Sequence, residues 1–378
     1  MIPQGRLGSL TSITNRVINE PDERKGREGA SAHFVHRERI EASLRTIAKQ
    51  QLNWGILGCA RIAERALIPA FREARNARLF GIAARDKARA REWAEKYAIQ
   101  NFYADYQALL DNPEIDAVYV PLPNHLHAEW TTRAARAGKH VLCEKPLALT
   151  EGEVRAMYGR ANEAGVLLME AFMYRFHPQF EKTMEMLRAG EIGDVRSFHS
   201  AFTFIYTGEA MNYRWDKSMG GGALYDVGCY TISAARTVFG AEPLSVFARS
   251  RLHAQTGVDL ATSLLLEFPK GRQALLDCAF DIPFQSRLEV AGAGGRISLE
   301  RAFSARHFDV EIRILRGNDP ETILIPATNQ YTLMIEHFGD AARGLCPLRY
   351  GEIDALGNAR SIDAAFQSIK TGQPVIIR

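Results

Sequence analysis

Between residues 53 and 170 short, continuously apolar runs alternate with stretches of helical spacing, and few folds accept that order. Residues 53–57, 78–84, 101–103, 117–120, 140–143 and 166–170 read as strands. Helices are expected after the turn at Gly58 as far as Ala74, then over 86–97, 106–110, 127–137 and 150–164. A strand buried on both faces loses its polar/apolar alternation, so apolar strands punctuated by helices predict a doubly wound parallel sheet covered on both sides.

From about Asp194 the texture changes. Residues 195–204, 244–251, 261–267, 273–280 and 286–291 alternate with a period of two, as an antiparallel sheet with one covered face requires. The predicted fold is therefore α/β overall, with a doubly wound N-terminal domain and a C-terminal α+β domain built on a large, mostly antiparallel open sheet. At 378 residues the chain exceeds one ordinary domain. The expected division is a flexible extension over 1–52, a nucleotide-binding domain over 53–172 and a substrate-binding domain over 173–378. Residues 1–52 are polar, with a weak helical pattern over 38–50, and their composition predicts a disordered extension or an arm around a partner subunit. No Pro/Gly-rich linker separates the two domains, so they are expected to pack closely.

The formal net charge is +3, without a dense Lys/Arg run interleaved with aromatics, which argues against nucleic acid or a membrane surface as partner. Five dispersed cysteines lack metal-ligand spacing and read as reduced thiols of a cytoplasmic protein; neither a membrane span nor a signal-peptide block is evident. His125, His127, His177 and His199 show no zinc spacing, and no metal is predicted.

Gly58, Ala60 and Ala63 put small residues in the turn between a strand and a helix, where backbone can approach a pyrophosphate and the helix N-terminus can receive its charge. Two of the three are Ala rather than Gly, and tight packing of strand on helix would explain them equally. At the end of the second strand no acid precedes Arg85, and Asp86 reads as the N-cap of the next helix. An arginine there accommodates a 2′-phosphate, so NADP is expected over NAD, with NAD also possible; a solvated surface arginine is the other reading. Glu144-Lys145-Pro146 follows a buried strand, which places Lys145 at the carboxyl end of the sheet, where ligands of such folds bind.

Four motifs occur in order: Gly58-Cys59-Ala60-Arg61-Ile62-Ala63, Pro123-Asn124-His125-Leu126-His127, Glu144-Lys145-Pro146 and Asp226-Val227-Gly228-Cys229-Tyr230. With them, residues 53–378 resemble the Gfo/Idh/MocA oxidoreductases, within which the dihydrodiol, xylose and glucose-fructose enzymes look most alike. The resemblance implies a Rossmann domain for NAD(P) and an open C-terminal sheet that walls the substrate site and often forms a dimer interface, hence a homodimer or dimer of dimers. It implies catalytic roles for Lys145 and Tyr230, and substrate contacts for Asp226 and Arg214. The cofactor contacts it implies are Gly58, Ala60, Arg61, Ile62, Arg85, Pro123, Asn124, His127, Glu144, Lys145 and Arg175. Many relatives carry His where this chain has Tyr230.

The residue types suit that chemistry independently. Moving a hydride to or from a carbinol carbon requires a matching proton transfer at oxygen, which Tyr230 can supply. A neighbouring Lys145 ammonium is expected to bring the phenol pKa down and to offer charge to a developing alkoxide. Asp226 and Tyr230, four residues apart on a helix expected over 223–239, share one face. The preceding Gly220-Gly221-Gly222 lets backbone approach a ligand or a neighbouring loop. For Arg175 and Arg214, packing or ion pairing is as open as a place in the cleft.

The expected function is an NADP-dependent dehydrogenase or reductase of a small sugar-like molecule, polyol or diol. Two alternatives are a nucleotide-sensing regulatory protein, against which Lys145 and Tyr230 both argue, and a glycosidase that uses tightly held NAD as a transient oxidant.

Overall fold

The computed structural model describes residues 50–208 and 212–377. Almost all of the expected N-terminal extension, and with it the helical pattern over 38–50, lies outside the described residues.

Six strands, β1 (Leu52–Leu57), β2 (Ala77–Ala83), β3 (Asn101–Tyr103), β4 (Ala117–Val120), β5 (His140–Cys143) and β6 (Leu168–Glu170), form one parallel sheet in the order β3-β2-β1-β4-β5-β6. The order reverses between β1 and β4, so the loops leaving Leu57 and Val120 open a crevice at their carboxyl ends. Burial on both faces follows the pleat. Trp54, Ile56, Ala117 and Tyr119 point into one apolar core, and Leu57, Val118 and Val120 into the other. Helix starts are fixed by side-chain caps: Asp86 accepts from Ala88 N (2.8 Å), Asp105 from Ala108 N (2.8 Å) and Thr150 from Glu153 N (3.2 Å).

The second sheet has nine strands. They are β7 (Val195–Thr203), β8 (Ser245–Leu252), β9 (Asp259–Phe268), β10 (Arg272–Ala279), β11 (Gln285–Gly292), β12 (Gly295–Leu299), β13 (Val310–Arg316), β14 (Asp319–Ile325) and β15 (Val375–Ile376). Their order is β14-β13-β12-β11-β7-β10-β9-β8-β15, antiparallel throughout except where β10 runs parallel to β7. The helix Cys229–Phe239, buried over nearly its whole length, covers one face. The other presents His199, Arg287, Glu289 and the exposed Leu275.

Two helices near the end of the chain return to the first sheet. Gln330–Ala342 seats Phe338 against Trp54 (ring centroids 5.4 Å apart), while Glu352–Thr371 adds Ala355 and Ala359 to the core on the opposite face. Each face of the parallel sheet is thus completed by a helix from the far end of the sequence, and one buried core runs from Trp54 through Tyr174 to Val290.

Candidate active site

A cavity of about 1430 Å³ runs along the carboxyl ends of the parallel strands and is closed from the opposite side by the nine-stranded sheet. On the first wall the turn after β1 begins at Gly58, which has φ +109° and donates its N–H to Ala83 O (2.8 Å). That backbone shape favours glycine, and a Cβ there would come within 3.0 Å of Leu122 Cδ2. The expected helix starts with a wide π turn, Ala63–Leu67, before the α-helix Ile68–Glu73. Ala60, Arg61 and Ile62 line the cavity with Gly58.

Arg85 reaches the same wall beside Tyr106, and Asp86 caps the next helix as expected. Arg89, one helical turn further on, joins Arg85 and donates to Cys59 O (3.0 Å), tying that helix to the turn after β1. The sequence reading passed over Arg89, although the spacing of four from Arg85 would have found it. Pro123 and Asn124 also line the cavity, and Asn124 Nδ2 donates to Gly220 O (2.8 Å), linking the two walls.

Two expected cofactor contacts are not brought to the cavity. His127 is fully buried, with Nδ1 2.8 Å from Pro146 O and Nε2 2.8 Å from Leu122 O; burial, outweighing both carbonyls, pushes its pKa down to about 4. It therefore bolts the loop after β4 to the loop after β5. Arg175 is 1% exposed and fully engaged, donating to both oxygens of Asp354 (2.5 and 3.1 Å) and to Ser233 Oγ (2.7 Å), which ties it to the C-terminal helix.

The remaining predicted residues converge. Lys145 Nζ donates to Asp226 O (2.8 Å) and Oδ1 (3.2 Å), and the same carboxylate accepts from Arg214 Nε (2.7 Å) and Nη2 (3.1 Å). Burial opposes the charge on Asp226, but Arg214 and Lys145 outweigh it and hold the carboxyl well below its usual range. Burial likewise opposes the charge on Lys145, yet Asp226 keeps it an ammonium beyond ordinary alkaline pH. Glu144 lines the cavity from below, accepting from Tyr119 Oη (2.5 Å), and burial raises its pKa.

Tyr230 stands over this group in a cage of Phe172, Phe202 and Phe303, with ring centroids 5.2 to 5.5 Å away. Among the described residues its hydroxyl donates to Met173 Sδ (3.4 Å). Lys145 Nζ lies over the ring, 5.2 Å from its centroid. The expected lowering of the phenol pKa is not what this arrangement gives. Burial raises it well above the ordinary value, with Tyr331 and Glu144 adding to the shift.

The glycine run answers to a neighbouring loop. A Cβ on Gly222 (φ +108°) would lie 2.0 Å from Asp259 Oδ1, and Asp259 Oδ2 accepts from Leu224 N (2.7 Å) and Thr262 Oγ1 (3.0 Å). Asp259 thereby holds the start of the segment that carries Asp226 and Tyr230. That segment opens as a π turn, Leu224–Gly228, before the α-helix, and both residues face the cavity. Phe202, Arg301, Phe303, Arg306, Gln330 and Tyr331 also line the cavity. These went unnoticed in the sequence, where no local pattern connects them to the strand ends.

A family model described as "Oxidoreductase family, NAD-binding Rossmann fold" matches residues 52–172, and one for the GFO/IDH/MocA C-terminal domain matches residues 180–298. The chain is 38% identical to D-xylose 1-dehydrogenase (NADP(+)) 2 of Haloferax volcanii, over 85% of this chain and 98% of that one. It matches a solved 3-ketoreductase from Actinomadura kijaniata, in complex with NADP and TDP-benzene, with a TM-score of 0.80 and 35% identity over 84% of this chain and 98% of that one. An aldose-aldose oxidoreductase from Caulobacter crescentus, complexed with glycerol, matches with a TM-score of 0.81 and 30% identity, covering 86% of this chain and all of that one.

Proposed function

Since the chain belongs to the Gfo/Idh/MocA family of NAD(P)-dependent oxidoreductases, we propose that it moves a hydride between NADP and a carbinol or carbonyl carbon of a sugar-like substrate, with Tyr230 as proton donor or acceptor and Lys145 assisting. It is an oxidoreductase acting on hydroxyl or keto groups of the sugar type, and NADP is its cofactor. The observation that carries the finer reading is the meeting of Lys145, Asp226, Arg214 and Tyr230 at the carboxyl ends of the parallel strands.

The residues present fit a dinucleotide phosphate. Gly58, Ala60, Arg61 and Ile62 would hold the pyrophosphate at the turn after β1, where Gly58 and Ala60 let backbone approach closely, and Arg85 with Arg89 would hold the 2′-phosphate. When bound, NADP supplies or accepts the hydride at its nicotinamide ring.

The other requirements fall to side chains. Tyr230, its pKa raised by burial, keeps its proton through the neutral range and is set to donate it to the oxygen of a carbonyl being reduced. Two of the three Lys145 donors are held by Asp226, leaving one for that same oxygen as negative charge develops. Asp226, kept ionised by Arg214 and Lys145, fixes where the ammonium sits. The cage of Phe172, Phe202 and Phe303 keeps water from the phenol.

We take residues 53–172 as the cofactor domain and 173–378 as the substrate domain. A homodimer through the uncovered face of the nine-stranded sheet is supported by Leu275, which is 47% exposed on β10, next to the central strand β7. Among the described residues no helix is long and apolar enough to cross a membrane. We place the protein in the cytoplasm on the strength of its five unpaired cysteines.

The test is a fluorescence titration with NADPH and NADH, followed by turnover at the nicotinamide absorbance band against aldoses, polyols, diols and ketosugars. Preferential NADPH binding with turnover is the expected result. Binding without turnover on any of these classes would overturn the catalytic reading.

A further inference from the structure

We propose that Asp259, a residue of β9 that does not line the cavity, is a positioning residue for the reaction: it fixes the backbone that carries Asp226 and Arg214, and through them the place of the Lys145 ammonium. The proposal rests on the oxidoreductase reading above and adds a residue that acts without touching substrate or cofactor.

The helical run that bears Asp226 and Tyr230 cannot hold its own start. Ala223 precedes the wide turn Leu224–Gly228 and has no side-chain acceptor for the first N–H groups. Asp259 supplies one from another element. Only 4% exposed, it accepts at Oδ2 from Leu224 N (2.7 Å) and Thr262 Oγ1 (3.0 Å), while its Oδ1 lies where a Cβ on Gly222 would stand. Ser250 Oγ stands 2.6 Å from Thr262 Oγ1, and because the one Thr262 proton goes to Asp259, that bond runs from Ser250 to Thr262. Strands β8 and β9 thus brace the carboxylate.

What Asp259 fixes reaches the site by two short routes. Along the chain, Asp226 N donates to Gly222 O (3.2 Å), and the carbonyl of Asp226, two residues after Leu224, accepts from Lys145 Nζ (2.8 Å). Across the turn, Gly222 N donates to Arg214 O (3.0 Å) and Gly221 N to Asp216 O (2.9 Å), so the backbone of Arg214 is stitched to the same glycines. Arg214 and Lys145 then meet at the Asp226 carboxylate. A π turn is rare and occurs frequently at functional sites; relaxation of this one to the ordinary i to i+4 ladder would rotate Asp226 relative to Tyr230.

The residue type fits the task. Burial pushes the Asp259 pKa up to about 6, against the amides of Leu224 and Ala223 and the Thr262 hydroxyl, which favour the charged form. At neutral pH both oxygens therefore accept, which an amide side chain cannot do.

The experiment compares wild type, Asp259→Asn, Asp259→Ala and Thr262→Val, each shown folded by circular dichroism at the assay temperature. NADPH affinity comes from fluorescence titration, and kcat from any substrate of the panel above that the wild type turns over. The position of the ammonium is read from the rate of Lys145 methylation by formaldehyde and cyanoborohydride, by peptide mass spectrometry, with the surface residue Lys182 as reference. In Asp259→Ala, kcat is expected to fall at least about tenfold and Lys145 methylation to accelerate, with NADPH affinity within about twofold and Asp259→Asn intermediate. Wild-type kcat and Lys145 reactivity in Asp259→Ala overturn the proposal, since the turn then keeps its place without the carboxylate. A parallel loss of NADPH affinity overturns it too, by showing general damage. If Asp259→Ala does not fold, Thr262→Val decides, because it keeps the carboxylate and removes one donor. A fall in kcat of about threefold with NADPH affinity kept supports the proposal there, and wild-type kcat and reactivity overturn it. Failure of the oxidoreductase reading shows separately, as a wild type without turnover, and Lys145 reactivity still decides the role of Asp259.

Discussion

Asp226 grips Lys145 twice, through its backbone carbonyl at 2.8 Å and its carboxylate at 3.2 Å, so one residue sets both the charge and the position of the ammonium that faces the cavity. Asp226→Asn keeps the carbonyl contact but leaves Arg214 and Lys145 without their shared counter-charge. Turnover is expected to fall about 10² to 10³-fold with NADPH affinity within a few-fold, as seen by steady-state kinetics beside a binding titration. The depressed Asp226 pKa adds a stability consequence: its contribution is present above the unfolded carboxylate pKa and is lost only as pH falls through the lower folded value. The variant should therefore be less stable than wild type at neutral pH, and the gap should close only in strong acid.

Tyr230→Phe removes a hydroxyl that bonds, among the described residues, to Met173 Sδ alone, and keeps the ring in its aromatic cage. Stability should barely change while turnover drops by roughly 10² to 10⁴. In the wild type, a phenol pKa raised by burial predicts that reduction runs without an alkaline limb up to about pH 9, whereas oxidation keeps accelerating as pH rises. A phenol active as a base at pH 7 would show oxidation levelling off near neutrality, contrary to this prediction.

Arg85 lines the cavity from the end of β2 and should distinguish the two nicotinamide cofactors. Loss of its charged bonds to a 2′-phosphate should weaken NADPH by about 1.5 to 3 kcal/mol, roughly ten- to a hundredfold, in Arg85→Ala. NADH affinity should stay within about twofold, because nothing is lost there. Equal weakening of both cofactors would remove the 2′-phosphate assignment.

Glu170 is buried beneath the Glu144-Lys145 loop; Oε1 accepts from Leu147 N (2.9 Å) and Oε2 has no hydrogen-bond partner among the described residues. Burial, with Asp354 adding, pushes its pKa up to about 8. A carboxyl raised in the folded state stabilises fully below its unfolded pKa, and that stability is lost as pH climbs through the folded value. Glu170→Gln should thus match the wild type near pH 4 and exceed it by a few degrees in Tm above about pH 8. Thermal melts across that window, with parallel curves as the refuting pattern, decide it.

Leu275 stands on the uncovered face of the nine-stranded sheet. If that face joins two copies, Leu275→Arg should convert a dimer to a monomer in light scattering with the fold intact by circular dichroism. A wild type that is monomeric at tens of micromolar would end the interface proposal.

The parallel sheet was legible because buried strands are apolar without interruption: β3 and β5 stand where their residues predict, and Asp86 and Thr150 cap as their types require. Strands β13 and β14 were missed although Val310-Glu-Ile-Arg-Ile alternates plainly. The return of the last two helices was not legible, since Trp54 against Phe338 is a contact 284 positions apart with no local trace. Arg175 misled for a related reason. Its partner Asp354 is supplied by a helix nearly 180 residues later, and an arginine beside a cleft looks the same in sequence whether or not such a partner exists. The reversed shift on Tyr230 has a similar origin, because only the fold shows how deeply the phenol is buried and that Tyr331 and Glu144 stand near it.

The closure of each face of the first sheet by a late helix has a consequence for how the polypeptide is made. Synthesis proceeds from the N-terminus, and the nucleotide half is complete on the ribosome long before residues 330–371 have emerged. Until then the sides of Trp54 and Ala355's future neighbours stay wet, so the nascent half carries two apolar scars that only termination heals. A ribosome stalled before Gln330 should therefore display a sticky intermediate that recruits holdase chaperones, and release of the full chain should dismiss them together.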